Sequence, residues 1–224
     1  KLSTSRNWAV WLPDYLDKYD PDPLRYAIAS NMPETSDSEF SWREYVRRNN
    51  NELVATYGNL VHRVLTISVK NFHGNVPEPD KLDDSDKELL RLAAIKFQET
   101  AKNIEACKFR SALTASMSLA QAANRYVDMK APWQSVKNDR LKAATTLWVS
   151  LTVINCLKIS LYPFLPFTSE KLHKMLGFTD EIQNQGWNWN PDMIKDAKLT
   201  LNPMPLFVKL DEEIINQETR RLGK

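Results

Sequence analysis

Three features of the sequence predict an all-α fold, an antiparallel helix bundle with a small N-terminal lead-in module. Apolar residues recur at three- and four-residue steps through several long segments. Most of the prolines fall between those segments and punctuate them. Only five glycines accompany 42% hydrophobic residues, a composition that leans toward helix and can bury a substantial core.

Residues 1–40 read as the lead-in module. Pro13, Pro21, Pro23 and Pro33 cut them into short pieces, with a short helix expected over 24–30. Residues 41–224 read as a helical domain ending in an irregular tail. Ser41-x-x-Glu44 has the pattern of a capping box and opens a helix over 42–70. Leu53, Tyr57, Leu60, Val61, Val64 and Ile67 make its apolar stripe. Gly74, Pro77 and Pro79 mark 71–84 as a loop, and helices follow over 85–103 and 104–127.

Pro132 ends that helical run in a turn, and the longest helix is expected over 135–161. It carries Leu141, Leu147, Trp148, Leu151, Ile154, Leu157 and Leu161, and Pro163 and Pro166 close it. A shorter helix over 168–176 has Gly177 in the position of a left-handed cap. Trp187, Trp189, Pro191, Pro203 and Pro205 belong to irregular chain that packs over the bundle, before a charged helix over 211–221.

Composition excludes several functions. No GxGxxG or GxxxxGK[ST] loop is present, so nothing cradles a phosphate in the usual way. A net charge of +2 is too small for a general DNA-coating protein, yet sufficient for local reading of one RNA. Cys107 and Cys156 form no CxxC pair, so zinc is not expected, and both read as buried, reduced thiols of a cytoplasmic protein. His62, His73 and His173 lie far apart without a recognisable nucleophile, and no Asp/Glu/His group has metal spacing.

The apolar run 147–167 contains Asn155, Lys158, Pro163 and Pro166, which makes it a buried core helix and predicts no membrane partner. Lys1 opens a polar segment without a signal peptide, and the missing initiator Met predicts a fragment of a longer protein.

Two constellations remain. Asn59 and Arg63 stand one turn apart, on roughly the opposite side of their helix from the apolar stripe. An amide above a guanidinium offers several fixed donors and one acceptor, which suits the edge of an unstacked base. Taken alone, such a pair is by default an ordinary solvated face, since surface Asn and Arg are common. Arg48 falls on that side too, as a phosphate contact or a plain surface charge. Trp133 follows Pro132 outside any apolar period, so its indole either presents a stacking platform or folds back over the helix ends.

At NRYVDMKAPW, residues 124–133, the sequence resembles the anticodon-domain signature of methionyl-tRNA synthetases. NNELVATYGNLVHRVL, residues 50–65, is similar to the partner helix of that family, in which Asn-Leu-x-x-Arg faces the anticodon. DPLR, residues 22–25, resembles an element of helical anticodon domains in related class I synthetases. KLSTSRNWAVWLPDYL, from Lys1, resembles the KMSKS loop and the chain after it. The resemblance runs from Lys1 to about Leu176 and weakens in the tail.

It implies that Asn59 and Arg63 hydrogen-bond the anticodon, chiefly its first cytosine, and that Trp133 stacks on it. Asn124 and Asp128 match neighbouring family positions and shape the pocket. The partners implied are the CAU anticodon stem-loop of tRNA(Met) and an upstream catalytic domain of the same protein. The parent reaction joins methionine to tRNA with ATP and Mg, whereas this chain needs no cofactor of its own.

Two departures narrow that expectation. The nucleotide-binding catalytic domain with its HIGH-type motif, and the family's zinc insertion, are absent from this sequence. In the KMSKS-like loop Lys1, Ser3 and Ser5 are kept, but Thr4 replaces the second lysine that would stabilise charge on ATP. The chain is therefore expected to lack aminoacylation activity. The competing readings are another class I synthetase's anticodon domain, a helical protein-interaction module without RNA, and a shape-only tRNA chaperone.

Overall fold

The computed structural model describes residues 9–34 and 37–222. Lys1, Ser3, Thr4 and Ser5 lie outside the described residues. Among the described residues the fold is all-α, with one isolated antiparallel bridge between Asn75 and Lys198.

The lead-in contributes α1 (Leu12–Leu16) and α2 (Pro21–Ser30). A small core gathers Tyr15, Leu24 and Ala27 with Trp42, Tyr45 and Val46 of α3 (Trp42–Arg48). The Tyr15 and Tyr45 hydroxyls meet at 2.8 Å, with the two rings nearly perpendicular. The final helix α10 (Glu213–Thr219) closes this core with Ile214 and Ile215.

DPLR acquires a physical role here. Buried Asp22 accepts the Thr168 N–H at 2.6 Å, and Arg25 donates to the carbonyls of Phe164 and Pro163 at 3.1 and 3.0 Å. One carboxylate and one guanidinium thus staple the lead-in onto the start of α9 (Pro166–Met175).

The expected helix over 42–70 is continuous but not uniform. Ser41 caps it by accepting the Glu44 N–H at 3.1 Å. Glu44 turns to Arg47 and Arg48, at 2.7 and 2.8 Å, rather than completing the box. Residues Asn49–Gly58 are then π-helical, and α4 (Asn59–Phe72) resumes ordinary winding. Buried Tyr45, Asn49, Leu53 and Tyr57 step by four, and a constant step of four stays on one face only if each turn holds more than 3.6 residues.

Helices α5 (Asp84–Glu105) and α6 (Phe109–Lys130) form an antiparallel pair. Asp83 and Asp86 make a reciprocal capping box at the start of α5. Cys107, expected to be buried, is exposed at the α5–α6 turn, where its φ is 56°. The turn leaves no helix face to bury it. Cys156 is buried, and desolvation lifts its thiol to about 12.

The expected single helix over 135–161 is two. The chain reverses at Ala131, with φ 45°, and Pro132 opens α7 (Pro132–Asn138) instead of a turn. Asp139 leaves helical geometry and accepts the Lys142 N–H at 3.1 Å, capping α8 (Arg140–Leu161). Every residue of α8 from Ala143 onward is buried. It is long and apolar enough to cross a membrane, but the bundle buries its whole apolar window. Thr145, Thr146, Ser150 and Ser160 satisfy their hydroxyls on the carbonyl four residues back.

The tail packs over the bundle. Trp187 stacks on Phe97 with centroids 4.9 Å apart, and the Trp189 indole donates to the Thr152 carbonyl at 3.1 Å. Gly177 has φ 90° after α9, and a Cβ there would lie 2.2 Å from the Lys198 carbonyl oxygen. Both the conformation and the crossing tail require glycine.

Candidate nucleic-acid interface

Three helices converge on one exposed surface. Asn59 is the first residue of α4 and is exposed, and Arg63 follows one turn on. Asp128 comes from the last turns of α6, and Trp133 from the first turn of α7. The left-handed reversal at Ala131 turns α7 back, so Trp133 reaches Arg63.

The Arg63 guanidinium carbon sits 5.1 Å from the Trp133 ring centre, and Nη2 donates to Asp128 Oδ1 at 2.7 Å. Trp133 remains 39% exposed although large and apolar, which leaves ring surface for a second stacking partner. Asp128 engages one N–H of a fork that carries five donors. Lys137, exposed one turn beyond Trp133 on α7, adds positive charge to the same helix face.

Asn124 sits beneath this surface rather than on it. Its Nδ2 donates to the Thr56 carbonyl at 3.0 Å and the Ala120 carbonyl at 3.1 Å, so it ties α6 to the π-helical segment. Arg48 is occupied elsewhere, 2.8 Å from Glu44 and 3.5 Å from Glu52. Glu52 also accepts from the Tyr26 hydroxyl at 2.6 Å.

Lys130 ends α6 between Asp83 and Asp86, and Asp86 also accepts from the Tyr126 hydroxyl. Burial alone would lower the Lys130 ammonium, but its two carboxylates outweigh that and raise it. This cluster pins the strand of chain entering α5 against the end of α6, directly after Asp128.

A second polar group escaped sequence reasoning. Lys158 is fully buried in α8, 2.8 Å from His173 Nδ1 and 2.9 Å from Gln185 Oε1, with Phe178 below it at 4.1 Å. His173 Nε2 continues to Asp180 at 3.2 Å. Desolvation pulls Lys158 down to about 7 and also lowers His173, to which the Lys158 charge adds. His173, fully buried, thus links Lys158 to Asp180. No sequence period marks Lys158 as buried except its place inside an otherwise apolar helix.

A cleft of about 600 Å³ lies between the lead-in, α9 and the tail, and none of Asn59, Arg63 and Trp133 lines it. The converging residues form an open surface with a stacking ring and directed donors. That geometry fits a splayed base better than an enclosed small molecule. Among the described residues no group of His, Cys, Asp and Glu is arranged to hold a metal.

The family described as the anticodon binding domain of methionyl tRNA ligase matches residues 76–223. The chain belongs to that family. A second family, class I tRNA synthetases (M), matches residues 1–65. The methionine–tRNA ligase of Thermomicrobium roseum is 44% identical over 246 residues, covering 99% of this chain and 42% of that protein. The enzyme of that name from Dehalococcoides mccartyi is 47% identical over 223 residues, covering all of this chain and 40% of its own.

The crystal structure of apo Mycobacterium tuberculosis methionyl-tRNA synthetase superposes with a TM-score of 0.76 at 26% identity, covering 85% of this chain and 39% of that one. The same enzyme with methionyl-adenylate gives 0.75. The chain therefore spans about two-fifths of the length of the methionine–tRNA ligases it matches.

Proposed function

We propose that this chain reads the CAU anticodon of tRNA(Met) as one part of an ATP-dependent methionine–tRNA ligase of the cytoplasm. The observation that carries the reading is the meeting of Arg63, Asp128 and Trp133, from three helices, on a surface beside Asn59. Trp133 stacks on the first cytosine, and Asn59 and Arg63 bond its edge. Asp128 holds Arg63 in orientation, and Asn124 fixes the floor. Lys137 supplies a phosphate contact that orients the stem-loop without reading sequence.

Residues 1–40 form the lead-in that joins this reader to a catalytic part upstream, where methionine and ATP, with Mg, would give methionyl-adenylate and pyrophosphate. Lys1, Ser3 and Ser5 are that loop's remnant, and Thr4 removes its main cation. The isolated chain accordingly gives no ATP–pyrophosphate exchange. Trp133→Ala tests the reading. It should weaken binding to a CAU stem-loop by about 1–3 kcal/mol, and unchanged affinity would remove Trp133 from the site.

A further inference from the structure

We infer that the C-terminal strap Phe207–Leu210 is a positioning element for base reading, acting through the π-helical segment and anchored by Asn50. This rests on Asn59 and Arg63 being the reading residues.

The strap grips the segment at both ends. At its start, Asn49 Nδ2 donates to the Val208 carbonyl at 2.9 Å. Asn50 donates to the Leu210 carbonyl at 2.8 Å and accepts the Leu210 N–H at 2.9 Å, a two-way bond that replaces a strand partner. At its end, Phe207 lies against Tyr57, with centroids 6.1 Å apart. Phe207 also closes over Gly58, where a Cβ would meet its ring at 3.3 Å and the Leu53 carbonyl oxygen at 3.0 Å.

Asn59 is the next residue. A π-helix turns less per residue than an α-helix, so ten residues of it rotate everything downstream. If the segment relaxed to ordinary winding, Asn59 and Arg63 would swing away from Trp133 and Asp128. Long π-helices are uncommon, and an external clamp explains why this one persists. Phe207, Val208 and Leu210, from the far end of the chain, provide that clamp.

The test compares Asn50→Ala and Phe207→Leu in the full chain, with Asn59→Ala alongside. Each releases one end of the segment, and Phe207→Leu keeps an apolar core residue and so carries the test if Asn50→Ala fails to fold. Affinity is measured for stem-loops with CAU and with an altered first base. Each strap variant should lose about tenfold in CAU affinity while affinity for the altered loop stays put, so that discrimination collapses.

Parallel loss on both loops would mark a merely structural strap and overturn the inference, as would unchanged discrimination in Phe207→Leu. If Asn59→Ala alone destroys discrimination, only the strap idea has failed. If Asn59→Ala also preserves it, the reading residues were misassigned and the inference falls with them.

Discussion

Replacing Arg63 separates base reading from charge attraction. In the free protein its guanidinium makes one ion pair, with an Asp128 side chain that is 61% exposed, and one contact over Trp133. An exposed pair contributes about 0–1 kcal/mol and the cation–π contact about 0.5–1 kcal/mol, so Arg63→Ala should destabilise the fold by only about 0.5–2 kcal/mol. Its remaining donors would form charge-assisted bonds to a base, worth about 1.5–3 kcal/mol, or roughly 10- to 150-fold in affinity. Binding should therefore suffer more than folding.

Arg63→Lys sharpens the comparison. It keeps the charge but loses the planar fork that serves Asp128 and a base together. Fluorescence titration with stem-loops differing only at the first anticodon base, repeated at several salt concentrations, gives both quantities. The expected result is loss of first-base discrimination in both variants, with the salt dependence of Arg63→Lys unchanged. A uniform loss across all anticodons in Arg63→Ala, with the salt slope reduced by about one and Arg63→Lys behaving as wild type, would refute the reasoning and make Arg63 a phosphate contact.

Asn124→Ala should remove two side-chain bonds, one to Thr56 that ties α6 to the π-helical segment and one to Ala120 within α6, costing about 1–2 kcal/mol and lowering Tm by about 2–8 °C. First-base discrimination should survive in the folded protein, and its collapse at unchanged Tm would make Asn124 a direct contact. Lys158 gives a pH signature. Its pKa falls from 10.5 unfolded to about 7 folded, so between those values the unfolded chain binds the extra proton and stability rises with pH. Relative to Lys158→Met, wild-type stability should climb across that window, by at most about 1.4 kcal/mol per pH unit. His173, lowered as well, adds a loss of stability as pH falls through its unfolded value near 6.5. Equal pH profiles for the two proteins in denaturant titrations would show that Lys158 keeps its proton when buried.

Helix periodicity and punctuation carried most of the architecture, because core burial and chain reversal are local consequences of apolar spacing and proline. Ser41, Gly177 and the prolines after α8 marked real boundaries. What periodicity missed were places where a distant partner overrides the local rule. The π-helical winding depends on a strap from the far end of the chain, and the break at Asp139 depends on one side chain preferring to cap. The Asn59–Arg63 face was readable from spacing, since it lies opposite the buried stripe. The Trp133 contact was not, because it arises from a left-handed residue at Ala131 that no helix pattern encodes. Family resemblance supplied that link before the geometry did. Spacing also left Arg48 open between a phosphate contact and a plain surface charge, and the structure shows it held by Glu44 and Glu52.

The central claim is that this surface distinguishes anticodons, and wild-type binding tests it most directly. The chain is titrated with a CAU stem-loop and with loops changed only at the first base, over a range of salt. The account predicts tighter CAU binding by about 1–3 kcal/mol, with a ratio that varies little with salt because the phosphate contribution cancels. Equal affinity for every anticodon would contradict it.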